Sequence, residues 1–427
     1  MNKLLLFIVP ATLCVSGIFA QSAKRDKAQQ IILTNISTID LTDKGISIKR
    51  SSLNIPKGTV YPLLLSSPQD TIPAQLDDLD GDDNWDELFF VVNIPANGKK
   101  ACTLHWVDKQ PVFVRQTSVR FGKRSSATDP VQPATSETLY KNELPKSLGY
   151  QRYQTDGPSW ENDKVGFRHY LDGRNAKDVF GKRAAYMSPE NVGINAAGAV
   201  EDNYHVMADW GRDILAVGNS VGIGGIALFK GDSVLRLGVT VNDSVNNVEK
   251  TTFKIVSEGT VRSIMNIKYY DWKPADRSYN AEETISIWPG MYAYHNSVNI
   301  TGVNGDENLA IGMVNLNSDK QPVEIRTGSK WVALVSHDKH TYNKEWWLGL
   351  ALILPADAYL GYTEAPKKGK LTDSFLARVK LTGRPVEYYA VAGWELSDPG
   401  FKDAGYFQRY VENLVKQLSA AVKVSIR

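Results

Sequence analysis

A long succession of short strand-like segments, closed by one helical segment, constrains this chain more than any other feature. Alternating or compact apolar runs occur at residues 45–48, 60–65, 87–94 and 102–107, with turn formers such as Asn97-Gly98 between them. This pattern predicts an antiparallel β domain in the first part of the chain. Strands dominate again from about Leu139, at residues 223–229, 261–270, 283–288, 292–300, 331–336, 347–354 and 388–394. Only residues 406–422 repeat at helical spacing, through Phe407, Val411, Leu414, Val415, Leu418 and Val422. Runs of strands without interleaved helices argue against a doubly wound parallel sheet. The expected fold is mainly β: a small N-terminal antiparallel β domain, then a large antiparallel β-sandwich of the supersandwich kind with a C-terminal helix. No fixed-period repeat of the solenoid or propeller type is present.

The expected divisions are a signal peptide over residues 1–20, a first β domain over 21–120, a linker over 121–138 and the large sandwich over 139–427. The linker is read from the polar, proline-containing stretch Ser125 to Pro133. The signal is read from Lys3, the apolar run Leu4 to Val9 and the small residue Ala20 before Gln21. Pro10, Thr12, Ser16 and Gly17 interrupt that run, which argues against a membrane anchor. Cys14 falls inside the signal, leaving Cys102 as the single remaining cysteine and no internal disulfide. Export without disulfides fits a bacterial periplasm, or secretion, better than a eukaryotic secretory route.

Composition excludes one partner class. The 49 Lys and Arg against 47 Asp and Glu give a net charge of +2, which supplies no basic field for nucleic acid. The 10 Trp and 19 Tyr suit either sugar-stacking platforms or a large sandwich core.

Several constellations carry candidate chemistry. Asp78, Asp80, Asp82, Asn84 and Asp86 place oxygens at every second position around Gly81, a spacing that resembles calcium loops, with a structural role expected for any ion. The same residues equally describe a solvated acidic turn. Along residues 164–171, strand alternation puts Arg168 and Tyr170 on one face, a carboxylate clamp beside a proton donor. Arg174 follows, and Glu161, Asp163, Asp172 and Asp178 offer the competing reading of internal ion pairs. Further on, His205 is the best general acid or base, with Asp209 to orient it and Trp210 as a stacking face; hydrogen-bonded packing is the plainer alternative. His337 and His340 flank Asp338 in a polar, solvent-exposed segment. Rossmann, P-loop and Gly-x-Ser-x-Gly spacings are all missing, so no organic cofactor and no acyl-transfer hydrolysis are expected.

The stretches Trp160-Glu161-Asn162-Asp163-Lys164…Arg168…Tyr170…Asp172…Arg174-Asn175…Asp178…Phe180-Gly181-Lys182 and Asn203-Tyr204-His205…Ala208-Asp209-Trp210-Gly211…Val217-Gly218-Asn219-Ser220 resemble the exported "domain of unknown function 4861" family. The acidic loop and Asp86-Glu87-Leu88 share the likeness. The resemblance implies a role in bacterial polysaccharide utilisation, on uronic-acid oligosaccharides, with elimination or dehydration at the uronate. Joined to the residues, it assigns Arg168 and Arg174 to carboxylate neutralisation. His205 and Tyr170 would share the base and acid roles, while Trp160, Asn175 and Trp210 position the sugar. The alternatives are a glycoside hydrolase using a carboxylate pair such as Glu161 with Asp209, and a non-catalytic oligosaccharide-binding protein.

Overall fold

The computed structural model describes residues 28–427, so the expected signal peptide lies outside the described residues. The first unit is two antiparallel sheets packed face to face. One contains Gln29–Asn35, Tyr61–Leu65, Thr71–Ile72, Lys99–Val107 and the final strand Val422–Ile426; the other contains Leu41–Lys49, Ala74–Asp77 and Glu87–Ile94. Alternation drives this packing, since Ile31, Leu33, Ile46, Ile48, Leu88, Phe90, Leu104 and Trp106 point inward to one shared core. The last strand crosses back to this unit, pairing Ile31 with Ile426 and Asn35 with Val422. The first unit is therefore built from two stretches far apart in the sequence.

The second unit is a large sandwich. A nine-stranded antiparallel sheet runs in the order Ser136–Tyr140, Val248–Glu258, Ser263–Trp272, Tyr279–Ile287, Ala293–Thr301, Val386–Trp394, Leu348–Pro355, Trp331–Asp338, Val323–Arg326. Two five-stranded sheets cover one face of it. The first comprises Thr117–Arg120, Ser159–Asn162, Val165–His169, Lys177–Lys182 and Gly211–Asp213; the second comprises Ser233–Arg236, Ile226–Lys230, Glu307–Val314, Ser374–Lys380 and Tyr359–Glu364. The main core lies between these layers.

The helix Ala404–Ser419 covers part of the opposite face, with Asp403 capping its start by accepting from the Tyr406 N–H. Its apolar stripe of Phe407, Val411, Leu414 and Val415 packs on Ala333, Val335, Ala351, Ile353 and Val391. Gly349 makes this contact possible, because a Cβ there would stand 2.4 Å from the Phe407 ring. Val422, counted with the helical stripe in the sequence, instead begins the final strand.

Parts of the segment expected as a linker pair into sheets. Gly122–Lys123 pairs with Gln132–Pro133, and Ser136–Tyr140 forms the edge of the nine-stranded sheet. The irregular connection lies earlier, at residues 108–116, where Val112 and Val114 are exposed. Proline and serine mark turns in either setting, so they alone did not separate a linker from a chain of tight turns. Among the described residues no helix is long and apolar enough to cross a membrane.

Candidate functional site

Three neighbouring strands bring the central charged residues together. Arg168 faces Asp178 directly across the Val165–His169 and Lys177–Lys182 pair, and Gly211–Asp213 adds Asp213 from the next strand. Arg168 forms ion pairs with Asp178 and with Asp213, the latter at 2.8 Å, and donates to the Tyr170 hydroxyl at 2.6 Å. Tyr170 in turn donates to Asp178 Oδ2 at 2.6 Å. Arg174 pairs with Asp172 at 2.6 Å and Asp156 at 3.2 Å, and its guanidinium lies 3.6 Å from the centre of the Tyr170 ring.

Arg168 and Tyr170 thus lie together, but both are buried, with the Arg168 Nη2 and the Tyr170 hydroxyl committed to the network. A carboxylate clamp has to meet its ligand; this guanidinium instead neutralises two buried aspartates. The ion-pair reading applies to Arg174 as well, through Asp172 and Asp156; Asp156 here and Asp213 at Arg168 are partners that the local sequence did not indicate.

His205 is the most solvent-exposed side chain of the cluster, 40% exposed beside a wholly buried Asp213. Its Nδ1 lies 3.6 Å from Asp213 Oδ2. Tyr204 packs on one side of the imidazole, and Tyr342 meets it edge-on with centroids 5.5 Å apart. Burial, followed by the Arg168 charge, lowers the His205 pKa, so the ring is neutral near pH 7. Burial and the adjacent Asp178 push the Asp213 carboxyl well above the usual range, and its Oδ1 has no hydrogen-bond partner among the described residues.

Backbone strain is concentrated around this cluster. Of the ten non-glycine residues with positive φ among the described residues, Thr155, Asp156, Asn175, Asn343 and Lys344 flank it. Such conformations persist where surrounding structure imposes them, and they gather at functional sites.

The remaining sequence candidates are committed to packing, ion pairs, turns or the surface. Trp160 is 1% exposed, stacked on Phe167 and edge-on to Tyr294, so it fills the core and offers no face to a sugar. Trp210 is likewise buried, against Phe180. Glu161 is held by Lys182 and by Ser188, which leaves neither oxygen to activate water. Asp209 is exposed in a turn, and Asn175 is buried at a left-handed turn position. His340 is also buried, its Nε2 2.9 Å from the Ser336 hydroxyl, two residues before Tyr342. His337 stacks on Trp347 and contacts the Phe401 carbonyl oxygen at 2.7 Å.

In the acidic loop, Asp78, Asp80 and Asp86 bring carboxylate oxygens within 4.8 Å of one another; the Asp82 carboxylate is not in that group and accepts from the Asn84 N–H. Both Asp78 oxygens accept backbone N–H groups, from Gly81 and Asp83, and Asp86 accepts from Leu79. These are the bonds of a turn that closes on itself.

The class defined by this fold is a two-unit antiparallel β protein with a charged cluster at one side of its sandwich. The chain belongs to the family described as "Domain of unknown function (DUF4861)", which it matches over residues 33–424. It is 23% identical over 449 residues to "Uncharacterized protein P7" of Formosa agariphila, covering 99% of each chain. Among solved structures it is similar to a protein in the glycosyl hydrolase family 38 from Enterococcus faecalis, with a TM-score of 0.43 and 8% identity over 93% of this chain and 47% of that one. An alpha-mannosidase from Enterococcus faecalis V583 gives a TM-score of 0.41 and 9% identity, over 93% and 46% of the respective chains. The chain spans just under half of each of these structures.

Proposed function

We propose that the protein is an exported carbohydrate-active carbon–oxygen lyase acting on uronic-acid-containing oligosaccharides. The observation that carries this reading is the solvent-reaching His205 set against the buried carboxyl of Asp213. A neutral imidazole beside a carboxyl group is the arrangement of a general base. The family resemblance supplies the substrate class.

With Nδ1 turned towards Asp213, Nε2 of His205 takes the proton at C5 of the uronate. The C–H electron pair forms the C4=C5 double bond, and the C4 oxygen departs with its bonding pair. Tyr342, beside His205, protonates that leaving oxygen, a role Tyr170 cannot fill while donating to buried Asp178. Proton removal next to a carboxylate requires positive charge near the developing anion. Arg212 at the rim supplies that charge, since its guanidinium is partly exposed, lies 4.0 Å from Glu345 and already bears on His205.

The test is incubation of the purified protein with uronic-acid oligosaccharides, followed by mass and ultraviolet absorbance. Loss of water with new absorbance establishes dehydration, and chain cleavage with new absorbance establishes a lyase. Cleavage with gain of water and no absorbance overturns elimination in favour of hydrolysis. Binding with unchanged mass overturns catalysis altogether.

A further inference from the structure

A cleft of about 550 Å³ lies where the first unit and the C-terminal helix meet the outer face of the nine-stranded sheet. Strand alternation points Ser286, Trp288, His295, Glu387 and Tyr389 out from that face. Trp288 is half-buried and boxed by other rings: Phe89 of the first unit at 62°, Tyr389 at 86° and His295 at 47°. His295 Nε2 lies 2.5 Å from Glu387 Oε2, and its Nδ1 lies 3.3 Å from the Ser286 hydroxyl.

The walls are fixed before any ligand arrives. Arg262, in the turn between Val248–Glu258 and Ser263–Trp272, forms ion pairs with Asp77 and Glu87 of the first unit and lies 4.0 Å from the Phe89 ring centre. Gln75 bonds the backbone of Val261 and Arg262 at 2.8–2.9 Å. On the other side, Lys44 donates to the Gln417 and Ala420 carbonyls at 2.7 and 3.0 Å. A lysine has three N–H donors, so one remains. No carboxylate of the described residues pairs with it, and burial, aided by Lys330, lowers its pKa to about 8.

We propose that this cleft is a second ligand site, separate from His205, that binds an acidic pyranoside. The C–H face of a sugar ring packs on the Trp288 indole, as amphipathic rings in preformed pockets favour. The ligand's anionic group takes the remaining donor of Lys44, while hydroxyls meet Ser286 and the exposed Asn413 amide.

The experiment is isothermal titration calorimetry of the full chain with short oligogalacturonates, short sulfated galactan oligosaccharides and neutral cello-oligosaccharides. Saturable binding of a carboxylated or sulfated probe, with the cello-oligosaccharides much weaker, is expected, and which acidic probe binds identifies the anion. Trp288→Ala weakens binding by about tenfold or more. Asn413→Trp, at an exposed helix position where folding is undisturbed, fills the cleft and abolishes binding. His205→Ala leaves the affinity unchanged, which separates this site from the proposed catalytic one. Absence of binding to every acidic probe, preference for the neutral one, or affinity indifferent to Asn413→Trp overturns the proposal.

Discussion

The Nδ1 of His205 stands 3.6 Å from Oδ2 of Asp213, and of the two only the histidine meets solvent. A base so placed exchanges protons outward while its partner stays shielded. His205→Ala should therefore lower turnover by about 10²- to 10⁴-fold. Being half exposed, it should cost under about 1 kcal/mol of stability. Paired kinetics and urea denaturation check both; full activity in the variant sinks the assignment.

Asp213 acts through His205, as a positioning residue. Asp213→Asn keeps the shape and loses the charge, so kcat should fall about 10- to 100-fold with KM little changed. Its stability has a sign that pH reveals. Because the folded pKa is raised, wild-type stability declines as pH rises from the unfolded value of 3.8 through the folded one. The asparagine variant escapes that decline, so its stability relative to wild type should be greatest at pH 8 and shrink towards pH 4.

Lys177 and Glu283 form a fully buried pair at 2.6 Å between the layers of the sandwich, with Asn296 and Tyr269 also donating to the carboxylate. Removing one partner strands the other, so Lys177→Met should destabilise the fold by about 3–5 kcal/mol. Adding Glu283→Gln to it should recover much of that loss. Chemical denaturation of wild type, single and double variants measures the difference, and additive losses would show that the pair is not coupled.

His340 gives a prediction on acid. Burial lowers its pKa from 6.5 to about 4, so the fold prefers it neutral. Its contribution is fully present above pH 6.5 and fades as pH falls towards 4, about 3 kcal/mol in all. His340→Gln should flatten the stability profile across that window; an unchanged slope between pH 7 and pH 4.5 would contradict it.

Strand existence was legible because each buried face leaves a local imprint, and Glu87–Ile94 is bounded as its alternation predicts. The terminal helix was legible for the same reason, up to the point where Val422 serves a different neighbour. Arg168 and Tyr170 could be placed together from strand geometry, but not their depth, since a buried guanidinium and an exposed one share the same spacing. Trp160 and Trp210 failed as platforms on similar grounds: an indole packs a core as readily as it faces a sugar. Asp213 and Tyr342 reach His205 through strand pairing and a distant loop, respectively, which periodicity does not encode. The cleft around Trp288 was less visible still, because its walls come from segments separated by hundreds of residues.

The pairing of Gln29–Asn35 with Val422–Ile426 orders events during folding. The sheet around Gln29–Asn35 remains one strand short until Val422–Ile426 is in place, while the large sandwich can condense without that strand. The opening unit is thus completed last, and its unfilled sheet edge is a temporary hazard of aggregation. A chain interrupted just after the helix would carry that open edge permanently.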